Sequence, residues 1–334
     1  MKIAYVLGIN EVLTGQGNGI KSQALTWADS LKELNQEVIF INPWDNYRWS
    51  DFDVIHLFGS SNTWFLSFAT KLRKINPHIV WSPICDDITK AKIQQLKTHL
   101  GCNKLHLFSL PFIRKQAYPL FQKIFVRSNY EKEYLIKAYN ADKNNIIKIP
   151  LSISYDISYE YFPKENFCLH ISSIYQPRKN VLRLIQAANK YGFKLILAGN
   201  TGSEKEFYPL KKEIGNNLNI QVKGFISEKE KIDLYKRAKV FALPSIMEGV
   251  GIVAVDAAIY GCEIVITNIG GPKEYYENMA YTVNPYNIDD IGKTIMKAMN
   301  SKNSHQPYLS KHVLEKYNKK HIAQSLLQEY QNLQ

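Results

Sequence analysis

No stretch of this 334-residue sequence holds the roughly 18 consecutive apolar residues that a membrane-spanning helix needs. Met1-Lys2 and the apolar residues 3–9 imitate a short signal peptide. The run stops at Asn10-Glu11 without a small-residue cleavage site, so it reads as a first β-strand. Cysteine is scarce. Cys85, Cys102, Cys168 and Cys262 form no CxxC pair, and no two are closer than 17 residues. That excludes a zinc ribbon or dense disulfide framework and favours reduced, mostly buried thiols in a cytoplasmic protein. Short repeats and low-complexity tracts are missing too. With 45% hydrophobic and 22% charged residues, the composition is globular, not disordered, collagenous or coiled-coil. Acidic side chains are outnumbered: 42 Lys and Arg face 30 Asp and Glu, a formal net charge of +12. The excess is spread along the chain, with 19 basic and 12 acidic residues in 1–150 and 23 and 18 in 151–334. A chain so charged fits anionic partners: phosphates, a membrane surface or nucleic acid.

The length is large for a single core and implies two domains. Strands are expected at residues 3–7, 38–41, 53–58, 78–81 and 124–126. Helices between them follow the 3.6-residue period, as in Leu25, Ala28, Leu31 and Leu34. Residues 150–163, rich in Ser and Tyr, carry no helical period and read as a linker. A second alternating series follows, with strands at 167–172, 194–198, 220–222, 240–243 and 263–267, then helices at 289–299 and 312–333. Strands alternating with helices imply parallel sheets in α/β domains, with ligand-binding loops at the strands' carboxyl ends. The expected domains are 1–155, 156–305 and a closing segment, 306–334.

The strongest chemical signal is Leu243-Pro244-Ser245-Ile246-Met247-Glu248-Gly249-Val250-Gly251-Ile252, leading to Asp256. A strand feeding a Gly-containing turn and then a helix leaves backbone N–H groups at Val250, Gly251 and Ile252 free for an anion, reinforced by the helix dipole. Gly249 and Gly251 let a ligand approach the backbone. Glu248 and Asp256 are eight residues apart, about 12 Å along a helix axis. The same run also suits a strand–turn–helix with a buried capping glutamate. A second loop, Ser172-Ser173-Ile174-Tyr175-Gln176-Pro177-Arg178-Lys179-Asn180, brings two cations to a helix start. Gly15, Gly17 and Gly19 form a Gly-rich loop that lacks dinucleotide spacing but can still present N–H groups to phosphate. Asp51-Phe52-Asp53 spells a DxD, yet it runs straight into an apolar strand, so no metal site is expected. His56 reads as a core or cleft-edge histidine. Residues 105–123 mix Phe108, Phe112, Tyr118 and Phe121 with Arg114, Lys115 and Lys123. They read either as core under a solvated basic face or as a surface for an anionic bilayer.

The run from Pro244 to Asp256 resembles the signature of the family 4 retaining glycosyltransferases, which have the GT-B fold. That signature is proline-serine, then glutamate-glycine-phenylalanine-glycine, with a second glutamate eight residues after the first. The resemblance implies two Rossmann-like, doubly wound domains facing a cleft, with a C-terminal helix crossing back to the N-domain. It implies that Glu248 contacts the donor sugar, Asp256 its ribose and Lys179 its diphosphate, making Lys179 and Glu248 the candidate catalytic residues. Donor-binding candidates are Gly17, Gly19, Arg178, Phe225, Gly249, Val250, Gly251, Ile252 and Asp256. Gly224-Phe225 and Thr267-Asn268-Ile269-Gly270-Gly271 resemble further family landmarks.

Departures are visible as well. Val250 stands where the family has an aromatic residue, and Asp256 where it has Glu. Ile174 stands where the loop arginine falls, leaving Arg178 as a substitute or a solvent-facing cation. Residues 79–87 contain Asp86 and Asp87 but no histidine. The implied activity is retaining transfer of a sugar from a nucleotide-sugar donor to a saccharide or lipid-linked acceptor, without metal or other cofactor. It implies a cytoplasmic protein of surface-polysaccharide synthesis with peripheral contact to an anionic membrane and no nucleic-acid partner. A binding module without turnover, and a sugar-nucleotide epimerase or phosphorylase on the same scaffold, remain alternatives.

Overall fold

The computed structural model describes residues 1–8, 19–59, 62–85, 89–105, 107–153, 155, 157–301 and 304–334. The chain divides into two compact units, Met1–Ser152 with Lys319–Gln334, and Ile153–Asn318. The first unit holds β1 (Lys2–Leu7), β2 (Glu37–Phe40), β3 (Val54–Phe58), β4 (Ile79–Ser82), β5 (Gly101–Cys102), β6 (Leu107–Phe108), β7 (Lys123–Val126) and β8 (Ile146–Lys148). Six of them form a parallel sheet in the order β2-β1-β3-β4-β7-β8, while β5 and β6 make a separate antiparallel pair. Side chains on a strand alternate between faces. Ile3, Tyr5, Val54 and Phe58 therefore meet Trp27 and Leu31 on one side. Ala4, Ile55 and Leu57 meet Phe65, Ala69 and Leu135 on the other. Burial on both faces explains why these strands read as unbroken apolar runs.

The second unit repeats the style with β9 (Glu165–Ile171), β10 (Leu195–Ala198), β11 (Ile220–Gly224), β12 (Ala238–Leu243), β13 (Glu263–Thr267) and β14 (Tyr281–Val283). Its parallel sheet runs β11-β10-β9-β12-β13-β14. Leu195, Leu197, Val240, Ala242 and Val265 pack against Leu184, Ile185 and Ala188 of the helix Val181–Tyr191 and Ile291 and Ile295 of the helix Ile288–Asn300.

The closing segment differs from the single piece expected over 306–334. It forms two helices, Tyr308–Lys316 and Lys319–Gln331, and the first belongs to the second unit. The other joins the first unit's core through Ile322, Leu326 and Tyr330. The Tyr330 hydroxyl lies 2.6 Å from His56 Nδ1 and 3.2 Å from the Tyr5 hydroxyl, and Ser82 Oγ is 2.8 Å from His56 Nε2. His56 is thus a fully buried core group. Asp53, the second acid of the DxD, accepts from the Lys2 amide at 2.6 Å.

Candidate functional site

The sheet order of the second unit decides where a site can form. From β9 the chain goes first to β10 and β11 on one side and returns to β12 on the other. In an open α/β sheet the carboxyl ends of the strands where the order reverses, here β9 and β12, are where ligands bind. The loops leaving those ends are residues 172–180 and 244–251, the two that carry the sequence signals. They are stitched together: the Ile246 amide donates to the Arg178 carbonyl at 2.8 Å, and the Asn180 side-chain amide donates to the carbonyls of Pro244 (2.9 Å) and Pro285 (2.6 Å). Asn180 is buried at φ 61°, a backbone region that asparagine tolerates, and it turns the chain from Pro177–Lys179 into the helix Val181–Tyr191.

This brings Lys179 and Glu248 together across 69 positions of sequence. Lys179 Nζ lies 2.6 Å from Glu248 Oε2, with both side chains almost withdrawn from solvent. Ser245 Oγ, fully buried, donates to the same oxygen at 3.0 Å. Behind Glu248, Gly270 backs onto its main-chain carbonyl, which places the Thr267-to-Gly271 turn at the site.

Just past Glu248 the helix Ile252–Ile259 begins. Its N-cap, Gly251, has no side chain to cap the first turn; the Ala254 amide turns back to the Gly251 carbonyl at 2.8 Å, which leaves the amides of Ile252 and Val253 at the helix start without an intrahelical acceptor or a side-chain cap. They point positive dipole ends toward the same loop as the Lys179 ammonium. The arrangement can hold a polyanion by an ammonium and amides, beside a carboxylate able to accept from hydroxyl groups.

Other candidates fall as follows. Val250 is buried. Asp256 lies within the helix and is 3% exposed, while Glu248 precedes the helix, so the axial distance expected between them does not apply. Burial, and then the Asp256 carboxylate, push up the phenols of Tyr155, Tyr235 and Tyr260, which marks the tyrosine wall around it. Arg178 is exposed and donates to Gln176 Oε1 at 3.0 Å. Ile174 is buried in the core. Phe225, after β11, is 82% exposed, an open aromatic face. Gly19 opens the helix Gly19–Glu33 in the first unit. Gly17, Asp86 and Asp87 lie outside the described residues. Among the described residues no three His, Cys, Asp or Glu side chains converge as a metal site.

His170 is the group that sequence reasoning missed. It is fully buried on β9, with Nδ1 2.7 Å from the Ala242 carbonyl and Nε2 2.7 Å from Ser172 Oγ. A carbonyl only accepts, so Nδ1 carries the proton and Nε2 accepts from the serine. His170 is therefore a neutral strut joining β9 to β12 beneath the site. Its signal was a histidine and a serine two apart, on one face of a strand entering a candidate loop. Burial pushes its pKa down to about 4; the Ala242 hydrogen bond opposes that shift and the nearby Lys179 charge adds to it. Between pH 6.5 and 4 the unfolded chain thus takes up a proton that the folded chain refuses. Stability contributed by this group is complete above pH 6.5 and lost as pH falls toward 4, by up to about 3 kcal/mol. Urea midpoints at pH 7 and pH 5 should fall further for wild type than for His170→Gln. Equal pH dependence in the two proteins would refute the assignment.

Comparison with known proteins gives a consistent picture. Residues 158–321 match the family model described as Glycosyl transferases group 1. The chain is 25% identical over 331 residues to an uncharacterized glycosyltransferase, MJ1607, of Methanocaldococcus jannaschii, covering 92% of this chain and 80% of that one. It is 25% identical over 199 residues to O-antigen chain mannosyltransferase B of Escherichia coli; there the match spans 53% of this chain and 51%, about half, of the relative. Among solved structures, sucrose-phosphate synthase from Thermosynechococcus elongatus superposes with a TM-score of 0.77 at 14% identity, covering 100% and 99% of the two chains. Anabaena HepE in complex with UDP gives 0.74 at 15% identity, covering 99% and 100%. The two parallel six-stranded sheets are those of the GT-B fold.

Proposed function

We propose, from the match of residues 158–321 to the glycosyl transferases group 1 model, that the chain is a metal-independent retaining glycosyltransferase. It takes a sugar from a nucleotide-diphosphate donor and delivers it to a saccharide or lipid-linked saccharide, in the cytoplasm, during assembly of a surface polysaccharide. The observation that carries this reading is the Lys179–Glu248 contact at the carboxyl edge of β9 and β12. Two comparisons lend support: HepE was crystallised with UDP and with UDP-glucose, and one relative is a mannosyltransferase acting on an O-antigen chain.

In the proposed reaction the acceptor hydroxyl attacks the anomeric carbon from the face that the diphosphate leaves. The carbon–oxygen bond to the phosphate breaks with its electron pair, and the hydroxyl proton passes to the departing phosphate oxygen. Lys179 and the leading amides of the helix Ile252–Ile259 stabilise the charge gathered there. Glu248 accepts from sugar hydroxyls and sets the ring's position, Asp256 serves the ribose side, and Phe225 offers its face to the base. Ile174, buried where the family has an arginine, favours one competing reading: donor binding without transfer.

A thermal-shift panel of sugar nucleotides tests the proposal first. A true donor at 100 times its Kd adds about 2.7 kcal/mol, or roughly 5–10 °C for a unit of this size. The anomeric configuration of the product formed from that donor then decides retention. Binding without transfer to any acceptor would favour the binding module, and interconversion of the donor alone an epimerase. No shift with any sugar nucleotide would remove the proposal.

A further inference from the structure

We infer that the face built by residues 90–105 and 107–110 of the first unit docks on an anionic lipid bilayer. The inference is independent of the donor site, which lies in the other unit.

The sequence supplies the charge. Between Asp87 and Glu131 there is no Asp or Glu, while the same stretch holds eight Lys and Arg. Arg127 is paired with Glu131 at 3.1 Å and Arg114 is turned toward Cys85 and Tyr139, so neither faces outward. Lys90, Lys92, Lys97 and Lys104 are exposed.

The structure supplies the apolar side. Ile93, Leu96 and Leu100 recur at i, i+3 and i+7 along and just beyond the helix Ala91–Lys97. Leu105 and Leu107 follow at the β5–β6 pair, and Leu110 opens the helix Leu110–Ala117. These six side chains are each between 48% and 70% exposed. The elements form one packed piece. Ser109 Oγ donates to the Lys97 carbonyl at 3.3 Å, and Gly101 presses on the Phe112 ring so closely that a Cβ would lie 2.4 Å from it. Six large aliphatic groups on one small substructure, interleaved with unmatched lysines, are not an ordinary solvated face.

The chemistry favours lipid over other partners. Protein interfaces are depleted of Lys, and their energetic centres are poor in Leu and rich in Trp, Tyr and Arg. Single-stranded nucleic acid needs several exposed aromatic platforms, and here Phe108 is the one exposed Phe, Tyr or Trp among the described residues 89–110. Leucines that enter the acyl boundary, with lysines reaching the headgroup phosphates, are what an interfacial surface requires.

Flotation of the full chain with phosphatidylglycerol-containing vesicles, against pure phosphatidylcholine vesicles, tests this. Binding is expected to the anionic vesicles at low salt, to weaken at high salt, and to be absent from the neutral ones. Lys92→Gln/Lys97→Gln/Lys104→Gln should lower partition roughly a hundredfold, since each lysine near an anionic surface contributes about fivefold. Leu96→Ser/Leu105→Ser/Leu107→Ser should lower it by more than about tenfold. Both variants should keep the wild-type melting temperature and any donor-induced shift, which separates lost docking from lost folding and from failure of the donor reading. The inference is overturned if wild type does not float at low salt, or if both variants float as wild type does. It also falls if sedimentation shows a dimer that the leucine variant dissolves, because the face would then be an interface between copies.

Discussion

Glu248→Ala is expected to lower the turnover of sugar transfer by about 10²–10³, the cost of removing one preorganised electrostatic contact. One carboxylate oxygen receives both the Lys179 ammonium and the Ser245 hydroxyl. Cutting it away leaves a nearly buried cation and a buried hydroxyl without their shared acceptor. The lysine is then no longer held where a leaving diphosphate would meet it. Lys179→Ala should cost a similar factor by removing the cation itself. If the two act as a unit, the double variant should lose much less than the product of the single losses. Glu248→Gln keeps the volume and one acceptor oxygen but not the charge, so it should fall between wild type and Glu248→Ala. The measurement is kcat at saturating donor, with melting temperatures alongside to exclude unfolding. Activity within a few fold of wild type in both alanine variants would end the assigned roles.

Why this pair was only half legible in the sequence follows from how it forms. Each residue stood out locally, Glu248 before a Gly-containing helix start and Lys179 at the end of a loop. Their contact, however, is made by sheet order: β9 and β12 are neighbours although β10 and β11 intervene in sequence. No spacing rule contains that. The parallel strands were easy, because burial on both faces writes an apolar run. Short edge strands were not: β8 and β14 are three residues each, too brief for a pattern.

The helix Glu204–Ile214 is hidden in the sequence by Pro209 inside it. Its Ser203–Glu206 capping box was the signal that could have found it. Residues 312–333 read as one helix in sequence because only Tyr317-Asn318, neither a Gly nor a Pro, interrupts them. Ile93 and the exposed leucines that follow it to Leu110 do not show as a set in the sequence. They span a helix, a strand pair and a second helix start, and only their packing shows that they share a surface.

Gly199→Ala is expected to destabilise the second unit by more than about 3 kcal/mol. Gly199 ends β10 at φ 117°, outside the region that any L-residue with a side chain readily adopts. A Cβ there would stand 2.0 Å from the Ser172 carbonyl oxygen, a backbone atom that cannot rotate aside. Ser172 is itself fixed, its amide donating to the Ala198 carbonyl at 3.1 Å, while the Gly199 amide donates to Gly224 at 2.6 Å. Relief therefore requires moving the root of the loop that carries Lys179, or breaking the joint between β10 and β11. Gly192→Ala is the matched control. Gly192 also has a positive φ, 72°, but nothing lies within 4 Å of its Cβ direction, so only the left-handed backbone penalty of about 1–2 kcal/mol applies. Urea unfolding of the two variants isolates the collision from the dihedral cost. Any Gly199→Ala protein that still folds should also lose the donor-induced thermal shift, because the displaced Ser172 begins the Lys179 loop. Should Gly199→Ala prove as mild as Gly192→Ala, the close approach of these two loops would be wrong, and with it the geometry that holds Lys179 against Glu248.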